Sequence, residues 1–268
     1  MPQPKSPGTK RHFLIVAASS RCARFFALKA LSQGHSVTAL CRAADDAAAL
    51  ERMKAILREA IGEGEEPDFS GLKAAARSIL TPETYQSLLD EDLSIDAIAC
   101  FVGPSKISEM LNPFNSIYTD TITAILSGMQ RSRPVEVLYH SSVGVGGAPR
   151  DAYNYWPANF PALSSLVHIL LPVFQNVRDS ERLFEGPGFG HNDYIVFRPS
   201  TLKDEPAVGG TMSLTNLSRE TPHKSALASA ETIINREDVA EEMLRVALLD
   251  PAERSILYGS SLYLTRKA

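Results

Sequence analysis

A histidine and two serines lie where an apolar run ends, and such side chains could carry out acid–base chemistry. The run VEVLYHSS, residues 135–142, predicts a strand that closes on His140, Ser141 and Ser142. Ligands of open α/β sheets bind at the carboxyl ends of strands, and histidine transfers protons near neutral pH. His140 and Ser142 are therefore candidate catalytic residues. Because side chains alternate along a strand, Ser141 takes the opposite face, and all three can instead simply bond to the backbone.

Two tyrosines and a lysine are further catalytic candidates in predicted loops. Tyr153 and Tyr155 stand in residues 143–162, a stretch rich in glycine, proline and aromatic residues that is too long for a simple connection. We predict a pocket wall whose phenol groups donate hydrogen bonds to a flat aromatic ligand. The alternative is that these aromatics anchor the loop itself. Lys106 follows a predicted strand and could face the same pocket, although a lone loop lysine is more often solvated.

The elements that must position these residues alternate between strands and helices. The chain opens with a strand at residues 13–16, a small-residue loop, a helix at residues 25–31 and a second strand after Gly34. This alternation predicts an α/β fold, a doubly wound and mostly parallel Rossmann-like sheet with a small C-terminal lobe on the substrate side. The later predicted elements are helices at residues 47–61, 81–89, 115–132, 163–186 and 236–249, and strands at residues 74–80, 96–103, 135–142, 193–202 and 256–265.

The organisation predicted is a single domain over residues 12–268. Residues 1–11 are polar and proline-rich, which predicts a disordered lead. Residues 143–162 and 201–235 lack helix or strand periodicity, and we expect them to form a cover over the pocket.

Composition narrows the class of function. The 268 residues carry a net charge of -4 at pH 7, which favours neither nucleic acid nor an anionic membrane as a partner. No apolar run is long enough for a membrane span, and the three cysteines fit a reducing compartment better than a disulfide scaffold. No His, Cys and carboxylate spacing predicts a metal site. We expect a cytoplasmic protein with a small-molecule substrate, and a second copy of the chain is a candidate partner.

The order of five landmarks resembles the atypical short-chain dehydrogenase/reductases, in particular the NmrA-like and isoflavone-reductase-like group. The landmarks, which together span nearly the whole chain from Phe13 onward, are GHSVTALCR, DAIACFVGP, LYHSSVG, DYIVFRPSTL and INREDVAEEMLRVALLDP. The resemblance implies a Rossmann fold that binds NAD(P) and acts on a small molecule, aromatic or polyketide-like in character.

The resemblance also implies where a cofactor would bind. The family's Gly-x-x-Gly-x-x-Gly loop falls on Ala17, Ser20 and Ala23, so this loop contains no glycine. Glycines normally allow the tight turn and the close approach of backbone to pyrophosphate. What remains is a helix N-terminus with the hydroxyls of Ser19 and Ser20 and the guanidinium groups of Arg21 and Arg24, which could bind an anion through side chains. Cys22 is interpreted as a small residue that fills the loop.

Three further residues complete the implied cofactor site. Arg42 follows the second strand, where the family places a basic residue on the 2′-phosphate of NADP instead of an acidic residue on the ribose of NAD. NADP(H) is therefore favoured over NAD(H); the alternative is a solvated arginine at a strand end. Phe101 and Val102, at the end of the fourth strand, are the remaining predicted cofactor contacts.

The catalytic pair of the classical members is missing. These members use a Tyr-x-x-x-Lys pair, but Tyr153 and Tyr155 are followed four residues later by Pro157 and Asn159, and the next helix offers Arg178. Three hypotheses follow: an NADP(H)-dependent oxidoreductase, a cofactor-independent acid–base enzyme such as an isomerase, dehydratase or cyclase, and a non-catalytic nucleotide sensor of the NmrA type.

Overall fold

A computed structural model describes most of the chain, and its strands and helices alternate as the sequence predicts. The described residues are 10–61, 67–104, 107–112, 114–142, 172–186, 193–199, 201–208, 212–216 and 233–266. The strands are β1 (His12–Val16), β2 (Ser36–Leu40), β3 (Leu72–Ala75), β4 (Ala97–Cys100), β5 (Glu136–His140), β6 (Tyr194–Pro199), β7 (Thr201–Lys203), β8 (Met212–Asn216), β9 (Ile233–Asn235) and β10 (Ser260–Arg266). The helices are α1 (Arg21–Ser32), α2 (Asp46–Ile61), α3 (Pro82–Glu91), α4 (Ile107–Met110), α5 (Ile117–Arg131), α6 (Pro172–Arg182), α7 (Arg236–Ala247) and α8 (Pro251–Leu257).

Eight strands form the central sheet in the order β3-β2-β1-β4-β5-β6-β10-β8. All neighbouring pairs are parallel except the pair of β10 with β8 at one edge. The order reverses at β1, which lies between β2 and β4, and this is the topological switch point at which such sheets bind ligands. The predicted doubly wound, mostly parallel sheet is confirmed.

Strand β1 explains why helices cover both faces of the sheet. Phe13 and Ile15 pack into one core cluster together with residues of α1, α2 and α7. Leu14 and Val16, which alternate with them, pack into a second cluster with residues of α3 and α5. A strand that is buried on both faces has a continuous apolar sequence, and residues 13–16 have this pattern.

Two predicted strands are wrong in their bounds. The predicted strand at 74–80 lies instead at Leu72–Ala75, and the backbone leaves the sheet where the N–H of Ala76 donates to Asp46 Oδ1 at 2.7 Å. The start of the predicted strand at 256–265 belongs to α8, because Asp250 caps that helix and Pro251 begins it. The last strand begins only at Ser260, after Gly259 has turned the chain with a φ of 71°.

The predicted cover is only partly described. Residues 143–162 lie outside the described residues, as do most of 201–235. Within the second segment, β7 pairs with β9 in a separate two-stranded parallel sheet. The division into one domain with a lead and a pocket cover stays a prediction. None of the helices in the described part is long and apolar enough to cross a membrane.

Candidate functional site

A cleft of about 1580 Å³ lies at the carboxyl ends of β1, β2, β4 and β5. The loops that follow β1 and β4 both line it, as expected where the strand order reverses. The predicted site residues within the described part all line it: Ala17, Ser19, Ser20, Arg21, Cys22, Arg42, Phe101, Val102, His140 and Ser142. The remaining candidates, Lys106, Tyr153 and Tyr155, lie outside the described residues.

The loop after β1 keeps a glycine-like turn although it has no glycine. Ala17, at the first glycine position, has a φ of 57°, in the left-handed region that side chains with a Cβ avoid. The turn is closed by a hydrogen bond from the N–H of Ser20 to the carbonyl of Ala17 at 2.9 Å. The backbone therefore adopts the tight turn and bears the strain that a glycine would remove.

Replacing Ala17 by glycine is expected to raise the free energy of unfolding by about 1 kcal/mol, because relief of left-handed strain exceeds the entropy that glycine adds to the unfolded chain. Urea unfolding measures this. Ala18→Gly is the matched control, since Ala18 is fully buried and has no positive φ, so the control variant should be less stable than the wild type. A destabilised Ala17→Gly protein would contradict the assigned turn.

The second glycine position uses its side chain to begin helix α1. Ser20 has extended backbone and its hydroxyl accepts a hydrogen bond from the N–H of Ala23 at 3.3 Å, which satisfies one free N–H of the helix start. Cys22 in the first turn is buried, and burial raises the pKa of its thiol to about 12. Cys22 therefore contributes shape and no thiolate at neutral pH.

Arg42 is the cleft arginine without an acidic partner. It is exposed two residues after β2, and in the described part of the chain its guanidinium pairs with no carboxylate. The acidic residues closest to Arg42 in the sequence bond to the backbone: Asp45 accepts from the N–H of Ala48 at 2.8 Å, and Asp46 accepts from the N–H of Ala76. The end of β2 thus offers a free positive charge where an NAD-binding site would offer a carboxylate.

The arginines at the start of α1 do not behave as a pair. Arg21 lines the cleft, but the guanidinium of Arg24 lies over the ring of Phe25, 5.1 Å from its centroid, and 3.7 Å from Glu59. The expectation that Arg24 binds an anion in this cleft is therefore not supported. A different arginine lines the cleft instead. It is Arg236, the first residue of α7, and sequence reasoning missed it.

His140 lies at the cleft in its neutral form. Burial, with the charge of Arg236 as a smaller cause, lowers the pKa of His140 to about 4. Its Nε2 is buried and has no hydrogen-bond partner among the described residues, and its ring lies 5.7 Å from the ring of Phe101. A neutral imidazole with a free nitrogen can orient a ligand by hydrogen bonding at pH 7, but it holds no proton to donate as an imidazolium.

The residue between His140 and Ser142 belongs to a buried ion network. Ser141 is buried, and its hydroxyl donates to Oε1 of Glu181 on α6. The guanidinium of Arg198 on β6 donates to the same Oε1 through Nε at 3.1 Å and to Oε2 through Nη2. This network ties the end of β5 to the neighbouring helix and strand, so it holds the backbone that presents His140 and Ser142.

One more cleft residue escaped the sequence analysis. Tyr118, near the start of α5, lines the cleft, and a Cβ at Gly103 would lie 3.4 Å from its hydroxyl. Burial raises the pKa of Tyr118, so its phenol stays protonated and can donate a hydrogen bond. Its position in the sequence could have identified Tyr118 as a candidate, since it follows the loop at the end of a central strand. Arg178, the nearest equivalent of the family's lysine, does not line the cleft.

No cluster of three or more His, Cys, Asp or Glu side chains suited to a metal ion occurs within the described ranges.

Comparisons with known proteins bear on the fold. The sequence matches no protein-family model and has no significant match to a curated protein. An oxidoreductase from Lactococcus lactis superposes with a TM-score of 0.62 at 15% identity, over 95% of this chain and 90% of that one. An anaerobillin reductase from Escherichia coli O157:H7 gives 0.60 at 13% identity, over 95% and 97%. A Rossmann-fold NAD(P)-binding family protein from Shigella flexneri gives 0.55 at 14% identity, over 96% and 94%.

These similarities define the class of fold. The chain has the fold of NAD(P)-binding Rossmann proteins, among which oxidoreductases and reductases are similar to it in structure. This agrees with the resemblance to the atypical short-chain dehydrogenase/reductases drawn from the five landmarks.

Proposed function

We propose that this protein is an NADP(H)-dependent oxidoreductase of the atypical short-chain dehydrogenase/reductase type, which acts on a small aromatic or polyketide-like molecule. The observation that carries the proposal is Arg42, an exposed arginine without an acidic partner in the described part, at the cleft position next to β2. The 2′-phosphate of a dinucleotide would form an ion pair with this arginine.

The residues present fit a dinucleotide. Ala17 holds the left-handed turn that a glycine-rich loop would provide, and α1 begins directly at the cleft. The N-terminus of a helix favours phosphate groups through its free N–H groups and its dipole. The cost of the missing glycines is the Cβ of Ser20 and the use of its hydroxyl as a cap, so side chains must supply part of the phosphate binding.

The predicted site residues that line the cleft have the following roles in this proposal. Arg42 binds the 2′-phosphate, the first turn of α1 faces the pyrophosphate, and Phe101 and Val102 flank the cofactor at the end of β4. NADP(H), when bound, supplies or accepts the hydride. The protein's own contribution is to orient the substrate: neutral His140 and Ser142 form hydrogen bonds to its polar group from the end of β5.

The size and lining of the cleft support a flat substrate beside the cofactor. Pockets for small ligands usually occupy about 300–1,000 Å³, and this cleft is larger, with room for a dinucleotide and a second molecule. Phe101, Tyr118 and Phe174 present aromatic rings to it. Tyr153 and Tyr155 remain candidates for the wall that closes over the substrate.

The acid–base alternative is supported by the missing Tyr-x-x-x-Lys pair and by the free Nε2 of His140. The pKa of His140, about 4, favours the oxidoreductase over this alternative, since a general acid or base works best when its pKa is near the working pH. A non-catalytic sensor would share the dinucleotide site and show no turnover.

Calorimetric titration with NADPH, NADP and NADH tests the proposal. We expect NADPH to bind with a Kd below about 10 μM, and more tightly than NADH, because NADH lacks the 2′-phosphate that would pair with Arg42. Undetectable binding of NADPH together with turnover of a substrate would overturn the proposal and leave the cofactor-independent enzyme. Tight NADPH binding with no oxidation of the nicotinamide across a panel of aromatic ketones and enones would favour the sensor.

A further inference from the structure

One carboxylate bridges two arginines at the edge of the cleft. Nη1 of Arg21 donates to Oδ2 of Asp204, and Nη1 of Arg236 lies 2.6 Å from Oδ1 of the same side chain. Arg21 and Arg236 both line the cleft. Each guanidinium thus pairs with a different oxygen of Asp204, and the three side chains carry a net charge of about +1 because arginine is always protonated.

The pairing of two short strands explains this arrangement. In the parallel pair β7 and β9, Lys203 lies opposite Asn235, so the next residues, Asp204 and Arg236, leave the strands side by side. Helix α7, which starts at Arg236, packs along α1, and Lys29 of α1 bridges to Glu237 at 3.1 Å. The first residue of each helix, Arg21 and Arg236, is thereby brought next to Asp204.

The three side chains of this cluster differ in exposure, and the backbone that follows Asp204 is anchored. The segment after Asp204 is fixed to the start of α7, because Asn235 Nδ2 donates to the carbonyl of Pro206 at 2.8 Å and the N–H of Ala207 donates to Glu237 at 3.1 Å. The Arg21 side chain is 63% exposed, that of Asp204 is 43% exposed, and that of Arg236 is 21% exposed. A competing anion would therefore displace Arg21 from Asp204 most readily, because Arg21 is the most exposed of the three side chains.

We propose that Arg21 and Arg236 form the binding site for the phosphate groups of the ligand, and that Asp204 pairs with them as an internal counter-anion until phosphate replaces it. The ligand class is a pyrophosphate ester. This inference rests on the proposed function and deepens it: two side chains from distant parts of the chain take over the phosphate binding that backbone N–H groups provide in a glycine-rich loop.

The exchange of anions is physically favourable. An ion pair with exposed members contributes little to stability, so its loss is easily offset. A pyrophosphate carries more charge than one carboxylate and offers more acceptor oxygens, and it would also lie near the N-terminus of α1. Ser20 blocks the close approach of the main chain by its Cβ and uses its hydroxyl as a cap, which leaves the guanidinium groups as the strongest phosphate donors at this end of the cleft.

Calorimetric titration of four variants with NADPH and with inorganic pyrophosphate tests the site. We expect Arg236→Gln and Arg21→Gln each to weaken both ligands about tenfold or more, because each removes a charged donor to phosphate. Asp204→Asn should tighten both about threefold or more, because it removes the competing anion. The matched control is Arg131→Gln, whose partner is the exposed Glu83 outside the cleft, and which should leave both affinities unchanged.

Thermal unfolding of each variant checks that the fold is intact, and Arg236→Lys, which keeps the charge, should bind with intermediate affinity. Equal affinities of Arg236→Gln, Arg21→Gln and Arg131→Gln would overturn the phosphate site, and an Asp204→Asn protein that binds no more tightly than the wild type would overturn the counter-anion role. If the wild type binds pyrophosphate through these arginines but not NADPH, the proposed function fails and this inference stands. If NADPH binds to the wild type, and the Arg236 and Arg21 variants bind it equally well, the proposed function stands and this inference fails. A wild type that binds neither ligand overturns both the proposed function and this inference.

Discussion

Replacing Arg42 by alanine is expected to weaken NADPH binding about 10- to 100-fold and to change NADH binding by about twofold or less. A hydrogen bond to a charged group contributes about 1.5–3 kcal/mol, and only NADPH carries the 2′-phosphate that would receive it. Because Arg42 is exposed and pairs with no carboxylate in the described residues, its removal breaks no ion pair there and should leave stability nearly unchanged. Calorimetry with both dinucleotides measures the ratio of the two effects.

A control separates this specific contact from the general loss of positive charge. Arg58 lies on α2, away from the cleft lining, with its guanidinium 5.3 Å from the ring centroid of Phe69. Arg58→Ala removes the same charge and should affect NADPH and NADH equally and weakly. If Arg42→Ala weakens NADPH and NADH by the same factor, the preference for NADP(H) over NAD(H) is wrong, although a dinucleotide site is still allowed.

Of the proposed variants, one that breaks the buried ion pair of Arg198 with Glu181 is expected to lower the free energy of unfolding most. The Arg198 and Glu181 side chains are only 3% and 6% exposed. Arg198→Met leaves the Glu181 carboxylate buried without its countercharge, and such a loss costs about 3–5 kcal/mol. Urea unfolding should show this decrease. The end of β5 should also lose order, because Ser141 bonds to the same carboxylate.

The double variant Arg198→Met with Glu181→Leu tests the cause. Replacement of both charges by apolar side chains of similar size removes the unpaired charge, so we expect it to recover most of the lost stability. The exposed pair Arg131 and Glu83 provides the comparison, since Arg131→Met should cost less than about 1 kcal/mol. A single Arg198→Met variant that costs no more than this comparison would contradict the structural role of the network.

Much of the fold could be predicted from local patterns. The apolar run at residues 13–16 identified β1, and the apolar spacing after it identified α1, because burial on two faces and on one helical stripe leaves different periodicities. The bounds of β3 and of the last strand could not be predicted from propensity. They depend on a side-chain contact between Asp46 and the backbone of Ala76 and on a cap at Asp250, both of which override the apolar pattern.

The candidate site also had a part that the sequence predicted and a part that it did not. The carboxyl ends of the predicted strands placed Arg42, Phe101 and His140 together at one edge, and all three line the cleft. Tyr118 and Arg236 were missed, because each lies at or next to the start of a helix whose distance from the cleft depends on packing. Nor could the sequence tell that Ala17 adopts a left-handed turn, since that backbone conformation is imposed by the loop closing onto Ser20.

The sequence by itself determined the alternation of strands and helices and showed that the loop after the first strand contains no glycine. The order of the strands, and with it the switch point at β1, belongs to the tertiary structure. Only the tertiary structure decided which charges meet there. Arg21 and Asp204 are 183 positions apart, and they come together because the pairing of β7 with β9 and the packing of α7 on α1 close a long stretch of chain. Arg24 looks equivalent to Arg21 in the sequence, but its guanidinium lies over the ring of Phe25 and near Glu59 of α2.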